Sequence, residues 1–224
     1  TWLCNLKCHM CHQDSPTFKI PEKPHISIEL VERMIPLIRK AVDVDLLGAG
    51  EPLMHPKIYE ILKLIKTEAP DTCVTIISNG TLLTKKNIVK LIDTGLDIIS
   101  ISLDGPGLER GHQDSDVTYA NLRALTAEKK RQGVDHPQIR IGFVLGKDNE
   151  DLLMPVLAFG IELGIDKMVV EPLRILEPNP TWDDYILANN IYDHTETVGP
   201  ILAQARALAH QHDIKIDAPY ITGV

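Results

Sequence analysis

Residues 41–66 read AVDVDLLGAGEPLMHPKIYEILKLIK, and the order of features within them decides the fold. The run at 42–47 is short and rich in valine and leucine, as a strand of a largely buried sheet is. Residues 48–52 carry two glycines and a proline and form a turn. Beyond it, Ile58, Ile61, Leu62 and Ile65 recur at spacings of three and four, which puts them on one face of a helix. A strand, a turn and a helix with one apolar face make the repeating part of a parallel sheet with helical crossovers.

The same part repeats outward from this stretch. Strands are expected at 72–77, 97–103, 138–145 and 167–170, each followed by a loop and a helix, and residues 1–3 read as the stub of a first strand. The crossover helix after the fourth strand is expected over 117–132, and the next carries Leu152, Leu153, Val156, Leu157, Gly160 and Ile161 on one side. Towards the end, Leu187, Ile191, Val198, Ile201, Leu202, Ala205 and Leu208 continue a helical stripe. Gly199-Pro200 interrupts it, so a kink or two helices are expected there. Six such units are too few for a closed eight-unit barrel and too regular for an α+β fold. The expected class is α/β, an open, partial (β/α)6 TIM-like barrel with a parallel sheet and outer helices. No repeat or linker divides the chain, and EPNPTW at 177–182 reads as a turn-rich loop. Residues 1–224 therefore read as one core domain, and the opening at Thr1, three residues before the first cysteine, reads as a fragment lacking sequence at both ends.

Composition narrows the class. Of 224 residues, 44% are hydrophobic and 24% charged, as in ordinary globular proteins. A formal charge of -8 disfavours non-specific binding to nucleic acid or to an anionic membrane. No stretch is long and apolar enough to span a bilayer, and no secretory signal opens the chain. Three of the four cysteines fall within eight residues, which suits a metal site in a reducing compartment and a cytoplasmic location.

Those eight residues are CNLKCHMC, with Cys4, Cys8 and Cys11 spaced C-x3-C-x2-C just past the strand stub. Three thiolates on one loop suit an iron–sulfur cluster, and because four cysteines fill every iron of a [4Fe-4S] cluster, three leave one iron for another ligand. Two other readings fit the residue types. CHMCH from Cys8 to His12 matches the c-type haem attachment pattern, although Cys4 is then unexplained. A closed zinc site of three cysteines with His9 or His12 is the second, and it explains none of the later motifs. Cys73 stands apart: at the start of a strand, roughly 15 Å from the strand's other end, it reads as a buried structural thiol.

The cysteine loop, together with GAGEP at 48–52, SNGTLL from Ser78 and SISLDG ending in Ser102, Asp104 and Gly105, resembles the radical SAM superfamily. There, C-x3-C-x2-C follows the first strand of a partial (β/α)6 barrel. The resemblance implies a [4Fe-4S] cluster on Cys4, Cys8 and Cys11, with S-adenosylmethionine on its open iron. It also implies that the backbone around Gly50 and Glu51 binds the methionine amino group, where glycine allows close approach. Ala49 replaces one glycine of the family motif. Ser78 and Asn79 would lie near the cofactor, Ser102 and Asp104 at its ribose or methionine end, and Met10 and Val144 against the adenine. Met10 departs from the aromatic residue usual before the third cysteine. Relatives often place an arginine about a dozen residues past Ser102; that position is Asp114 here, and Arg110 is the nearest candidate for the carboxylate. Glu171 and Arg174, past the last expected strand, would meet substrate.

The resemblance further implies reductive cleavage of the cofactor to methionine and a 5′-deoxyadenosyl radical that takes hydrogen from a substrate, the protein supplying placement and exclusion of solvent. An electron donor such as flavodoxin or ferredoxin is implied as a partner. CNLKCHMC with GAGEPLMHP is particularly similar to the branch bearing a C-terminal SPASM or twitch extension with auxiliary clusters, whose cysteines are not among the four of this chain. A ribosomally made peptide is the first substrate expected, a small metabolite or carbohydrate the second.

Overall fold

The computed structural model describes residues 1–8, 10–105, 115–175 and 179–220. They form two compact units, one of Thr1–Asn5, Lys19–Ile101 and Val117–Ile139, the other of Leu6–Phe18, Ser102–Asp116 and Arg140–Val224.

In the first unit, three parallel strands follow one another in chain order: β1 (Asp43–Leu46), β2 (Cys73–Ser78) and β3 (Ile98–Ser102, its last residue falling in the second unit). Asp43 is level with Cys73, and Thr75 with Ile98. Val74, Ile76, Ile99 and Ile101 are wholly buried, and each such side chain contributes about 1.5–3 kcal/mol to the fold. The helices form for local reasons. Ser27 caps α1 (Ile28–Ile38) by accepting the Leu30 N–H at 3.2 Å, and Val31, Ile35 and Ile38 are its buried stripe. α2 (Ile58–Glu68) buries the expected Ile58, Ile61, Leu62 and Ile65. Thr84 caps α3 (Lys85–Asp93), which buries Ile88, Leu91 and Ile92. An ion pair joins helix to sheet. Lys66 on α2 donates to Asp97 at 2.8 Å and to the carbonyl of Thr72 at 3.0 Å, while Asp97 accepts the Val74 N–H at 2.7 Å. α4 (Ser115–Gln132) lies mostly in this unit.

The second unit carries β4 (Gln138–Leu145, which begins in the first unit), β5 (Lys167–Pro172) and β6 (Lys215–Asp217), again parallel and in chain order. Ile141, Phe143 and Leu145 alternate inward along β4. α5 (Leu153–Leu163) packs closely on it. A Cβ on Gly160 would lie 3.5 Å from Ile141 of β4 and 2.6 Å from Ile165, and Gly164 ends the helix in the left-handed conformation at φ 65°. α6 (Asp183–Ala188) and α7 (Thr195–Gln211) complete the unit.

The strands stand within two residues of their expected bounds, with three differences. Residues 1–3 form no strand, although the Thr1 and Leu3 carbonyls accept the Gly50 and Glu51 N–H groups at 3.1 and 2.8 Å. A strand not expected, β6, stands at Lys215–Asp217. The helix does not break at Gly199-Pro200. α7 runs through Pro200 because burial of Val198, Leu202, Ala205 and Ala209 outweighs the one lost backbone bond, and the interruption lies earlier, between Ala188 and Thr195. Accordingly Ile186, not Leu187, is buried; Leu187 is 55% exposed. Cys73 opens β2 as expected, but it is half-buried because the strand's edge at its first residue is less covered than its middle.

Candidate active site

Glu51 is the hub of the first unit. It follows β1 by five residues, its side chain is buried, and three donors converge on it. Oε1 accepts the Leu53 N–H at 3.0 Å and the Ser78 hydroxyl at 2.8 Å, and Oε2 accepts the Asn79 N–H at 2.8 Å. The turn after β1 is thereby tied to the end of β2. Burial pushes the Glu51 carboxyl above its ordinary value, the loss of water outweighing the donors from Asn79, Leu53 and Ser78. With the folded value above the unfolded one, its contribution to stability is full below the unfolded value and is lost as pH rises through the folded one. A carboxyl-carbon NMR titration is expected to give Glu51 a midpoint above 4.5; a midpoint at or below that value contradicts this account.

Two contacts fix the residues on either side of Cys4. Leu3 is held by the Glu51 N–H, and the chain at Gly50 passes so near that a Cβ there would lie 2.1 Å from the Leu3 carbonyl oxygen. Asn5 donates to Thr81 Oγ1 at 2.9 Å and accepts from Asn79 Nδ2 at 3.0 Å. The Asn79 side-chain oxygen in turn accepts the Thr81 N–H and hydroxyl at 3.0 and 2.6 Å. Gly80 turns at φ 75°, and Asn121 of α4 donates to the Gly80 and Thr81 carbonyls at 2.9 and 3.2 Å. Asn5 and Asn121 were not among the residues expected at the site. An asparagine in a loop and one on a helix face carry no sequence signal of such contacts.

In the second unit, Cys8 and Cys11 share a tight turn. The Cys11 N–H donates to the Cys8 carbonyl at 3.0 Å, and Cys11 Sγ accepts the Gln13 N–H at 3.5 Å, capping a short 3-10 turn at His12–Asp14. Met10 is half-buried within it. Asp104, two residues past exposed Ser102, spends a carboxylate oxygen on the Val144 N–H of β4 at 2.7 Å. The wholly buried Asn149 donates to the carbonyls of Val144 at 3.0 Å and Asp104 at 3.3 Å. Gly105 at φ 97° packs against Leu152, where a Cβ would come within 2.8 Å. Glu171 and Arg174 are exposed. Arg110, Asp114 and His9 lie outside the described residues.

All four cysteines are thiols, and Cys4, Cys8 and Cys11 are half-buried. Cys4 belongs to the first unit, Cys8 and Cys11 to the second. Among the described residues, no three His, Cys, Asp or Glu side chains are gathered as a metal site. The donor set nevertheless suits an iron–sulfur cluster in its chemistry, with three soft sulfurs on eight residues and a backbone N–H already directed at one of them. The close approach at Gly50, which a side chain would fill, leaves backbone rather than side chain beside the residue that precedes Cys4. No helix among the described residues is long and apolar enough to cross a membrane.

Comparison with known proteins agrees with these motifs. The profile of the Radical SAM superfamily matches residues 3–152. The chain belongs to this superfamily. It is 26% identical over 225 residues to a tungsten-containing aldehyde ferredoxin oxidoreductase cofactor-modifying protein of Pyrococcus furiosus, covering 97% of this chain and 60% of that one. It is 33% identical over 188 residues to a probable GTP 3′,8-cyclase of Metallosphaera sedula, covering 80% of this chain and 54% of that one. The chain thus spans little more than half the length of these relatives. Among solved structures it is similar to Streptococcus suis SuiB bound to S-adenosylmethionine, with a TM-score of 0.71, 17% identity and coverage of 98% of this chain and 48% of SuiB. It is also similar to anSMEcpe with bound AdoMet, with a TM-score of 0.70, 16% identity and coverage of 98% and 62%. These likenesses show the fold: six parallel strands alternating with helices in a partial TIM-like barrel.

Proposed function

We propose that the chain is the core domain of an enzyme that binds a [4Fe-4S] cluster through Cys4, Cys8 and Cys11 and cleaves S-adenosylmethionine. The observation that carries this reading is the agreement of the cysteine loop with the Gly50, Glu51, Ser78 and Asn79 network inside a chain of this superfamily. A cluster held by Cys4, Cys8 and Cys11 would supply one-electron reduction of the sulfonium and, through it, hydrogen abstraction from substrate, the electron coming from a donor such as flavodoxin or ferredoxin. The protein's part is placement. Backbone carbonyls at Gly50 and Glu51 are the acceptors for the methionine amino group. The Glu51 carbonyl already takes the Met54 N–H at 3.0 Å and keeps a second lone pair. The Glu51 side chain itself is engaged in holding Ser78 and Asn79, so its role is to shape the turn. Ser102 and Asp104 stand for the ribose or methionine end, Met10 and Val144 for the adenine, and Arg110 for the carboxylate.

The first substrate reading is a ribosomally made peptide; among the structural neighbours, SuiB is known bound to its precursor peptide SuiA. A second reading, a small anionic metabolite, is favoured by a cleft of about 350 Å³ past β5. Arg174, Asn190 and Tyr192 line it with Leu173 and Ile186, a size and lining suited to a small molecule with one anionic group.

Anaerobic reconstitution with iron and sulfide, followed by reductant and S-adenosylmethionine, tests the function. The expected result is brown protein that releases 5′-deoxyadenosine. Zinc in place of iron, or covalent haem, with no 5′-deoxyadenosine formed, would overturn it. Mass spectrometry for hydrogen taken from deuterated peptide or deuterated nucleotide then separates the two substrate readings.

A further inference from the structure

We infer that residues 179–185, between β5 and α6 and into that helix, brace the turn that carries Cys8 and Cys11, with Trp182 and Asp14 as positioning residues; the inference rests on the proposed cluster site. Asp14 belongs to the cysteine turn, since its N–H donates to the Cys11 carbonyl at 2.9 Å. Two side chains from the far end of the unit close on it. Trp182 Nε1 donates to Asp14 Oδ2 at 2.8 Å, and Asn179 Nδ2 donates to the Asp14 carbonyl at 3.1 Å. Asn179 is buried and cannot turn away. Its own N–H is bound to Asp183 at 2.9 Å, and its side-chain oxygen accepts the Thr181 N–H at 3.1 Å.

The other end of the brace is anchored at the mouth of β4. Trp182 meets Tyr185 edge to face, with ring centroids 6.0 Å apart, and the Tyr185 hydroxyl donates to Asp148. The Lys147 N–H donates to the Asn189 carbonyl at 3.0 Å. Next to Asp148 stands Asn149, whose bonds to Val144 and Asp104 have been described. A continuous series of contacts therefore runs from Asp104 and the end of β4 through α6 to the carbonyl of Cys11. A short turn held only by its own backbone bonds is poorly fixed, and ligands bound from such a turn need an outer shell to hold their sulfurs in place.

The test is made on the full chain, reconstituted anaerobically. W182F keeps an aromatic ring against Tyr185 and loses the donor together with part of the indole. It is expected to lose iron to a ferrous chelator about tenfold faster than the unaltered protein, as loss of a hydrogen bond to a carboxylate allows. The electron paramagnetic resonance signal of its reduced cluster is expected to shift. D14A should behave alike, and D14A/W182F no worse than D14A alone, because both substitutions remove one contact. D14N keeps an oxygen for Trp182 and should hold iron nearly as well as Asp14 does. Urea midpoints of W182F and the unaltered chain, measured without cluster, are expected to agree within error, which separates positioning from folding. Iron loss by W182F and D14A at the unaltered rate overturns the brace, as does a double variant whose losses multiply. Failure of the unaltered protein to take up any cluster overturns instead the proposed function, and the brace with it.

Discussion

Gly50→Ala is expected to lower the thermal midpoint by about 10 °C, read by far-ultraviolet circular dichroism. The added Cβ would fall 2.1 Å from the Leu3 carbonyl oxygen, 2.6 Å from its carbon and 2.8 Å from the Leu3 nitrogen. These are backbone atoms, with no rotamer by which to move aside. Separating the segments breaks the bonds from Gly50 N–H to Thr1 and from Glu51 N–H to Leu3. Two backbone hydrogen bonds lost, together with overpacking, cost about 3 kcal/mol, and a chain of this length loses about 2–4 °C per kcal/mol. Gly48→Ala is the natural comparison. Its Cβ would lie 3.2 Å from the Thr1 carbonyl oxygen, a distance that a shift of a few tenths of an ångström relieves. Equal midpoints for the two variants would contradict this account. The contrast also explains the motif: Ala49 is accepted where the family has glycine, because the close approach falls on residue 50.

Cys4→Ala is expected to cut release of 5′-deoxyadenosine by more than about 100-fold, since loss of an outer partner of a metal ligand already costs 10–100-fold. Iron and sulfide per chain should fall with it, measured after anaerobic reconstitution. Because Asn5 and Leu3 are held independently of the thiol, by Asn79, Thr81 and Glu51, the fold should survive the substitution. Cys73→Ala is the control. Cys73 stands at the opening residue of β2, level with Asp43, and the variant is expected to load a cluster as the unaltered chain does. A Cys4→Ala protein with full cluster and activity would remove Cys4 from the ligand set.

The alternation of strands and helices was legible because the signals are dense. In α2 all four apolar residues spaced by three and four are buried, and β4 occupies the expected residues, bounded by Pro137 and Gly146. β6 was not legible. It offers one apolar residue, Ile216, between Lys215 and Asp217, and three residues give no period. Pro200 does not break α7 because tertiary burial of the helix's apolar stripe, which no local pattern reports, outweighs the lost bond. At the site, sequence pointed to the loops but not to the partners that fix them. Glu51 was read for its backbone, whereas its carboxylate joins two strand ends. Asn149 in KDNED looks like a solvated loop residue, yet it is wholly buried. Asp14 and Trp182 are 168 residues apart, a distance over which no local pattern reports.

That long separation bears on recombination among relatives. A chimera that takes residues 6–18 and 144–149 from one parent and 179–189 from another would pair an Asp14 with a foreign Trp182 and a Tyr185 with a foreign Asp148. Crossovers that keep residues 6–18, 144–149 and 179–189 from one parent preserve these contacts, so the three segments are best exchanged as a single inherited block.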